Sequence, residues 1–289
     1  MNKDQNYVLF TDSAADLPEE LLTRYGVRSI PLNVFMKDAP AQPCTLRGEE
    51  FYRALQAGRV ACTSAANLSA FRAAFGEVLS EGKDVLYLAF SSVLSCMYQT
   101  GVIAAEELRA EYPDRRIIVI DTRCASLGEG LLVCRTAEEM QKGITLDEAA
   151  AYAEENRLKT IHWFTVDDLM FLKRGGRVGA VSAFAGSLLG IKPVMHVSNE
   201  GKLIPKAKVR GRRSALQALA RHYGEECRDR SAPVFIAHAD SLHDAEHLRD
   251  ELTKEYGAKH ILIGGIGPVI GAHAGPGTIA LFFAGDSRE

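Results

Sequence analysis

Short apolar runs alternate with amphipathic stretches along most of this chain, and few architectures accommodate that order. Tyr7-Val-Leu-Phe-Thr11 reads as a strand, and behind it a helix is opened by Pro18 and closed by Gly26, with Asp16 expected as its cap. The same reading continues through the strand-like "VRSIPLNVFM", the helix "LRGEEFYRALQAG", a strand-to-helix junction at "CTSAANLSAFRAAFGEVLSEG" and the strand "DVLYLAF". "SSVLSCMYQTGVIAAEELRAEYP", "RRIIVIDT" and "ASLGEGLLVCRTAEEMQKG" extend it as helix, strand and helix. Such alternation implies an α/β fold with a largely parallel sheet covered on both faces. Ligands then sit beyond the carboxyl ends of the strands.

After the helix "TLDEAAAYAEENRLKT" the texture changes. Residues 161–213 carry short strands, a hairpin signal at Asn199-Glu200-Gly201, and a stretch of small residues from Ala180 to Ser187 that reads as a closely packed helix or as room for a narrow apolar tunnel. Beyond it come helices at "SALQALARHYGEEC" and "LHDAEHLRDELTKEYG" and strands at "PVFIAHA", "KHILIGG" and "TIALFFAG". A 289-residue chain that is 47% hydrophobic can bury two modest cores, so two domains are expected, 1–158 and 159–289.

A net charge of −3 offers no general attraction for nucleic acid or for an anionic membrane surface. The basic "KAKVRGRR" at 206–213 reads as a surface stripe. The amino terminus has no apolar segment of signal-peptide length, and no run approaches ~18 apolar residues, so a cytoplasmic protein without stable membrane insertion is expected. Six cysteines without a Cys-x-x-Cys pair match neither a zinc site nor a stapled secreted scaffold and are expected to be reduced.

Chemistry concentrates at a few places. Ser91, Ser92 and Ser95 follow an apolar strand and precede a helix, where they can cap it, bind an anion together with the helix N-terminus, or supply a nucleophile. The nucleophile reading lacks the Gly-x-Ser-x-Gly elbow expected of a hydrolase with this architecture. Thr63 and Ser64 raise the same choice at a second junction, where Asn67 or Ser64 can serve as a cap. "GGIGPVIGAHAGPG" departs from a dinucleotide fingerprint in spacing, contains Pro268, and leaves 18 residues after Gly271, too few for the rest of that unit. What remains is a glycine-rich loop presenting His273. Arg174 and Arg177 flank a Gly-Gly turn, as a solvated loop or as partners for an acidic group or a phosphate.

Taken in order, "VLFTDSAADLP", "TSAANLSAF", "SSVLSCMYQ", "DTRCASLGEG", "FLKRGGRVGAVSAFAGSLLGIKPVM" and "GPVIGAHAGPG" resemble the DegV family of bacterial fatty-acid-binding proteins over nearly the whole chain. The resemblance implies an N-terminal Rossmann-like domain with a parallel sheet and a C-terminal α/β domain, with one long-chain fatty acid in a tunnel between them. In the fatty acid kinase system, the FakB-type member presents the acid to a separate ATP-using kinase subunit, which converts the carboxylate to an acyl phosphate. By that resemblance the head group falls to Thr63, Ser64, Ser92, Ser95 and His273, with Arg174 and Arg177 as candidates for head-group support or kinase docking.

Two departures lie beside the presumed ligand. The family commonly has Thr-Ser-Gln-Pro-Ser where this chain has Thr63-Ser64-Ala65-Ala66-Asn67, and Leu-Ser-Gly-Thr-Tyr where it has Leu94-Ser95-Cys96-Met97-Tyr98. Both bear on which acyl chain is preferred. No P-loop and no magnesium-binding carboxylate cluster is legible, so a carrier without a cofactor or catalytic machinery is expected. The alternatives are a serine-dependent lipid or ester hydrolase using His273 as base, and a DNA-linked regulatory module.

Overall fold

The computed structural model describes residues 6–178 and 190–288. The expectation for the small-residue stretch from Ala180 to Ser187 falls outside them. In the first half, β1 (Tyr7–Asp12), β2 (Arg28–Ile30), β6 (Asp84–Ala89) and β7 (Ile117–Asp121) form a parallel sheet in the order β2-β1-β6-β7. Strands β1, β6 and β7 are nearly continuous apolar runs because both faces are covered, whereas β2, at the edge, is Arg-Ser-Ile. Helices α3 (Leu68–Ser80) and α4 (Met97–Glu111) pack on one another, as do α5 (Leu127–Gln141) and α6 (Leu146–Asn156). Phe10, Phe71, Phe75 and Tyr87 interlock edge-on or tilted at centroid distances of 5.3–5.9 Å and fill one face.

The segment read as one strand, "VRSIPLNVFM", divides at Pro31. Its first part is β2. Its second, β3 (Asn33–Met36), joins β4 (Ala39–Pro43) and β5 (Ala61–Ser64) in a separate antiparallel ribbon of order β4-β3-β5. Proline lacks the N–H that would continue the ladder, and the chain leaves the sheet there. Between β4 and β5 runs α2 (Gly48–Gln56); α1 (Glu19–Tyr25) starts after Pro18 without a side-chain cap and ends at Gly26, as the sequence suggests. Asp16 does not cap it: its backbone is left-handed, at φ 53°, and its carboxylate is spent elsewhere.

Every described strand from residue 160 onward belongs to one six-stranded sheet. It contains β8 (Thr160–Thr165), β9 (Ile191–Val197), β10 (Leu203–Arg210), β11 (Pro233–His238), β12 (His260–Gly265) and β13 (Ile279–Ala284), in the order β10-β9-β8-β13-β11-β12. Only β11 and β12 pair in parallel. The hairpin read at residues 199–201 joins β9 to β10, with Gly201 at φ +84° and its carbonyl accepting from Ser91 Oγ at 3.0 Å. A Cβ there would lie 2.2 Å from that oxygen, so glycine is required for the tip of the second sheet to rest on the serine loop of the first. Lys206, Lys208 and Arg210 of the basic stripe lie exposed on edge strand β10, where charge discourages pairing with another chain.

Helices α7 (Leu169–Gly175), α8 (Arg212–Glu226), α9 (Leu242–Tyr256) and α10 (Pro268–Ala274) complete the described structure. The largest apolar cluster runs from Phe10 and Tyr87 of the first sheet to Phe164, Met195 and Phe282 of the second, so the two halves share a core. All six cysteines are free, four of them buried. No described helix is long and apolar enough to cross a membrane.

Candidate functional site

Asp12, at the carboxyl end of β1, organises the serine loop. Its buried carboxylate accepts from Ala14 N (3.0 Å), Phe90 N (3.0 Å) and Tyr87 Oη (2.8 Å), which fixes the backbone where β6 gives way to Ser91 and Ser92. Burial outweighs these bonds and pushes its pKa up to about 6. Neither Ser92 nor Ser95 caps α4, whose first turn follows Cys96 without a side-chain bond. Asn67, by contrast, does cap α3, accepting from Ala70 N. The plain capping explanation therefore holds at the second junction for Asn67 and fails for the serines at the first.

The glycine-rich segment expected as a loop is helical. Pro268 occupies the first turn of α10, where its missing N–H costs nothing, and His273 lies in the last turn. Two side chains from the first half hold this helix at its start. Asp16 Oδ1 accepts from Gly267 N at 2.9 Å while its Oδ2 accepts from Ser126 Oγ at 2.6 Å, and Tyr52 Oη donates to Ile266 O at 2.7 Å. So anchored, α10 brings His273 Nε2 to 2.7 Å from Thr63 Oγ1 at the end of β5, a contact 210 residues apart in sequence.

His273 is neutral near pH 7, because burial, and then the positive charge of Arg177, lower its pKa to about 4. Its Nδ1 has no partner among the described residues and faces Gly175, whose added Cβ would lie 2.3 Å away. With the proton on Nε2, the imidazole donates to Thr63 and frees the threonine hydroxyl to donate outward. With the proton on Nδ1, a buried N–H is orphaned and Thr63 presents only lone pairs. An anion beside Thr63 selects the first arrangement.

Thr63, Ser64, Ser92, Ser95, His273 and Arg177 all line one cavity of about 400 Å³ between the two halves. Arg177 Nε donates to Leu94 O at 3.3 Å, tying the Gly-Gly turn to the serine loop. The rest of the wall is mainly apolar and comes from both halves, including Phe90, Phe164, Val197, Leu203, Ile270 and Phe282. The hydroxyls are not equivalent. Ser92 Oγ donates to Asp121 Oδ2 at 2.6 Å, so its proton is already committed. Ser64 Oγ accepts from Asn33 and keeps its own proton, and Ser95 Oγ makes no bond among the described residues. Arg174 is exposed, with its guanidinium 4.6 Å over the Phe171 ring, and does not line this cavity.

The constellation required for a serine nucleophile is not assembled among the described residues. Ser92 is bonded to a carboxylate, His273 to a threonine, and no acid orients the Nδ1 of His273. His162, also in the wall, uses both nitrogens on backbone, Nδ1 toward Thr160 O and Nε2 accepting from Ala125 N. No group of three His, Cys, Asp or Glu side chains among the described residues is arranged to hold a metal ion.

Sequence reasoning missed Asp121, Tyr52 and the true task of Asp16. For Asp121 a signal existed, since a carboxylate ending a parallel strand beside β6 can reach the loop that follows that strand. Burial also raises the Asp16 pKa to about 7, so the folded state holds a proton that the unfolded chain releases near pH 4. Its stabilising contribution is present in acid and is lost as pH rises toward 7. Relative to wild type, Asp16→Asn should therefore gain on the order of 1.4 kcal/mol per pH unit between about pH 4 and 7. Urea unfolding at pH 5 and pH 7 tests this, and a gap that stays constant with pH would contradict it.

Comparison with known proteins adds the lineage. The family profile described as "Uncharacterised protein, DegV family" matches residues 6–286. A DegV domain-containing protein of Clostridium perfringens is 41% identical over 292 residues, covering 99% of both chains. A Thermotoga maritima protein named "Fatty acid-binding protein" is 35% identical over 281 residues, covering 94% of this chain and 95% of its own. Among solved structures, a fatty-acid-binding DegV family protein from Thermus thermophilus superposes with a TM-score of 0.88 at 31% identity, covering 97% of this chain and all of that one.

Proposed function

The chain belongs to the DegV family, and from that premise we propose that it binds one long-chain fatty acid between two domains divided near residue 158 and presents its carboxylate to a separate ATP-using fatty acid kinase subunit. The observation that carries the reading is a cavity lined by the bonded pair Thr63 and His273, by Ser64, Ser92, Ser95 and Arg177, and otherwise by a mainly apolar wall. Thr63, Ser64 and Ser95 have protons to give a carboxylate. Ser92, bonded to Asp121, shapes the loop and offers a lone pair only. The tail gains ~0.8 kcal/mol for each methylene buried, so it supplies affinity while the hydroxyls set register.

The chain acts as a carrier in this proposal, with the phosphoryl chemistry supplied by the kinase subunit. Denaturing extraction and mass spectrometry of the purified protein should find a C14–C18 acid. A different class of molecule would overturn the reading, as would acyl phosphate formed from ATP by the isolated protein. Ser95→Ala should weaken palmitate binding by ~1.5–3 kcal/mol, the usual worth of a hydrogen bond to a charged group. Unchanged affinity in isothermal titration would place the carboxylate elsewhere.

A further inference from the structure

Two segments of the first half bring hydroxyls to the cavity. Thr63 and Ser64 end β5, while Ser92 and Ser95 lie in the loop between β6 and α4. Each segment is held from elsewhere: Asn33 Nδ2 donates to Ser64 Oγ at 3.2 Å and to Ala65 O at 3.3 Å, and Arg177 Nε donates to Leu94 O at 3.3 Å. Among the described residues a single hydrogen bond joins residues 63–67 to residues 91–97, from Ala66 N to Met97 Sδ at 3.3 Å. Ala66 is 5% exposed, and Met97 is fully buried in the first turn of α4, two residues beyond Ser95, so the bond is sheltered from water. A thioether is a weak acceptor, yet without it a buried N–H is orphaned. Packing alone does not call for sulfur here, since leucine fills nearly the same volume.

We infer that Met97 is a specificity-determining positioning residue: its sulfur sets the spacing of Thr63 and Ser64 from Ser95, and with it the preference of the cavity for a carboxylate over an uncharged head group. The inference rests on the fatty acid reading above. A carboxylate spreads one charge over two oxygens, and it takes its full set of donors only when hydroxyls of both segments reach it together. An alcohol of the same chain length is satisfied by the hydroxyls of either segment. Ala65 and Cys96, the neighbours of the two bonded residues, both line the cavity, so a shift of either segment is felt at its wall. Loss of the sulfur frees the segments to move relative to each other, and the acid loses more by that than the alcohol.

Palmitate and hexadecanol would each be titrated into wild type and into Met97→Leu, which keeps the apolar volume and removes the acceptor, with melting temperatures to show that the variant is folded. Palmitate should bind the variant about tenfold more weakly, while hexadecanol binds within about twofold of wild type. An equal loss for both ligands would overturn the inference, because a wall that merely packs less well does not distinguish head groups. Unchanged palmitate affinity would overturn it too. If Met97→Leu does not fold, Met97→Ile makes the same comparison, and a protein that tolerates neither would show that the sulfur supports the fold and not the choice of head group. Wild type that binds hexadecanol as tightly as palmitate has no preference for Met97 to set, and the inference fails while lipid binding stands. Wild type that binds neither ends the fatty acid reading as well.

Discussion

Replacing Arg288 by alanine should cost about 3–5 kcal/mol of stability, because several buried acceptors lose a charged donor at once. The side chain is buried near the end of the chain, and its fork is fully engaged. Nε donates to Thr160 O at 2.8 Å, Nη1 to Arg123 O at 2.7 Å and Ser198 O at 3.2 Å, and Nη2 to Arg157 O at 2.7 Å and Cys124 Sγ at 2.9 Å. These acceptors come from the loop after β7, the turn before β8, β8 itself and the β9–β10 hairpin, so one guanidinium pins the first sheet to the second. Alanine leaves several carbonyls without this donor, at ~1–3 kcal/mol for each that finds no replacement. Lysine should rescue little, since an ammonium cannot span a planar fork of acceptors. Urea denaturation gives the number, and a loss below about 1 kcal/mol would mean that water replaces the guanidinium without penalty.

Thr63→Val should raise the dissociation constant for palmitate roughly 30- to 1000-fold, corresponding to about 2–4 kcal/mol. Two losses combine in that figure. The carboxylate loses a hydroxyl donor, and His273 Nε2 loses its 2.7 Å partner in a confined site. If His273 acts on the ligand through that hydroxyl, as a positioning residue, the two effects should not add. His273→Ala alone should weaken binding less than Thr63→Val, and adding His273→Ala to Thr63→Val should cost almost nothing further. Independent contributions in a double-mutant cycle would show that the imidazole touches the ligand directly. The same proteins, loaded with one acid and offered to a purified cognate kinase subunit, would show whether acyl phosphate formation falls in step with binding.

Much of the architecture was legible because it is written locally. Apolar runs buried on both faces gave the parallel sheet of the first half, Pro18 and Gly26 bounded α1, and Asn199-Glu200-Gly201 marked the β9–β10 hairpin, each through a preference of the residues themselves. The sequence also picked out hydroxyls at two strand ends and a histidine near the carboxyl terminus, and all of them except Ser91, whose hydroxyl donates to Gly201 O, line one cavity. It misjudged α10 as a loop, because glycine content spoke for flexibility where anchoring by Asp16 and Tyr52, more than 200 residues away, favours a helix.

What residue type and spacing determined, then, was which groups gather at the junctions. Only the tertiary structure decided what each one does there. Ser92 and Ser95 are three residues apart and chemically identical, yet the register of β6 against β7 sets Ala89 opposite Asp121 and spends the proton of Ser92, while that of Ser95 has no partner among the described residues. Arg174 and Arg177 flank the same glycines, yet Arg177 lines the cavity and Arg174 does not. A hydrogen bond or a charge contact is fixed by distances of a few ångströms between segments remote in the chain, and local preference carries no information about those distances.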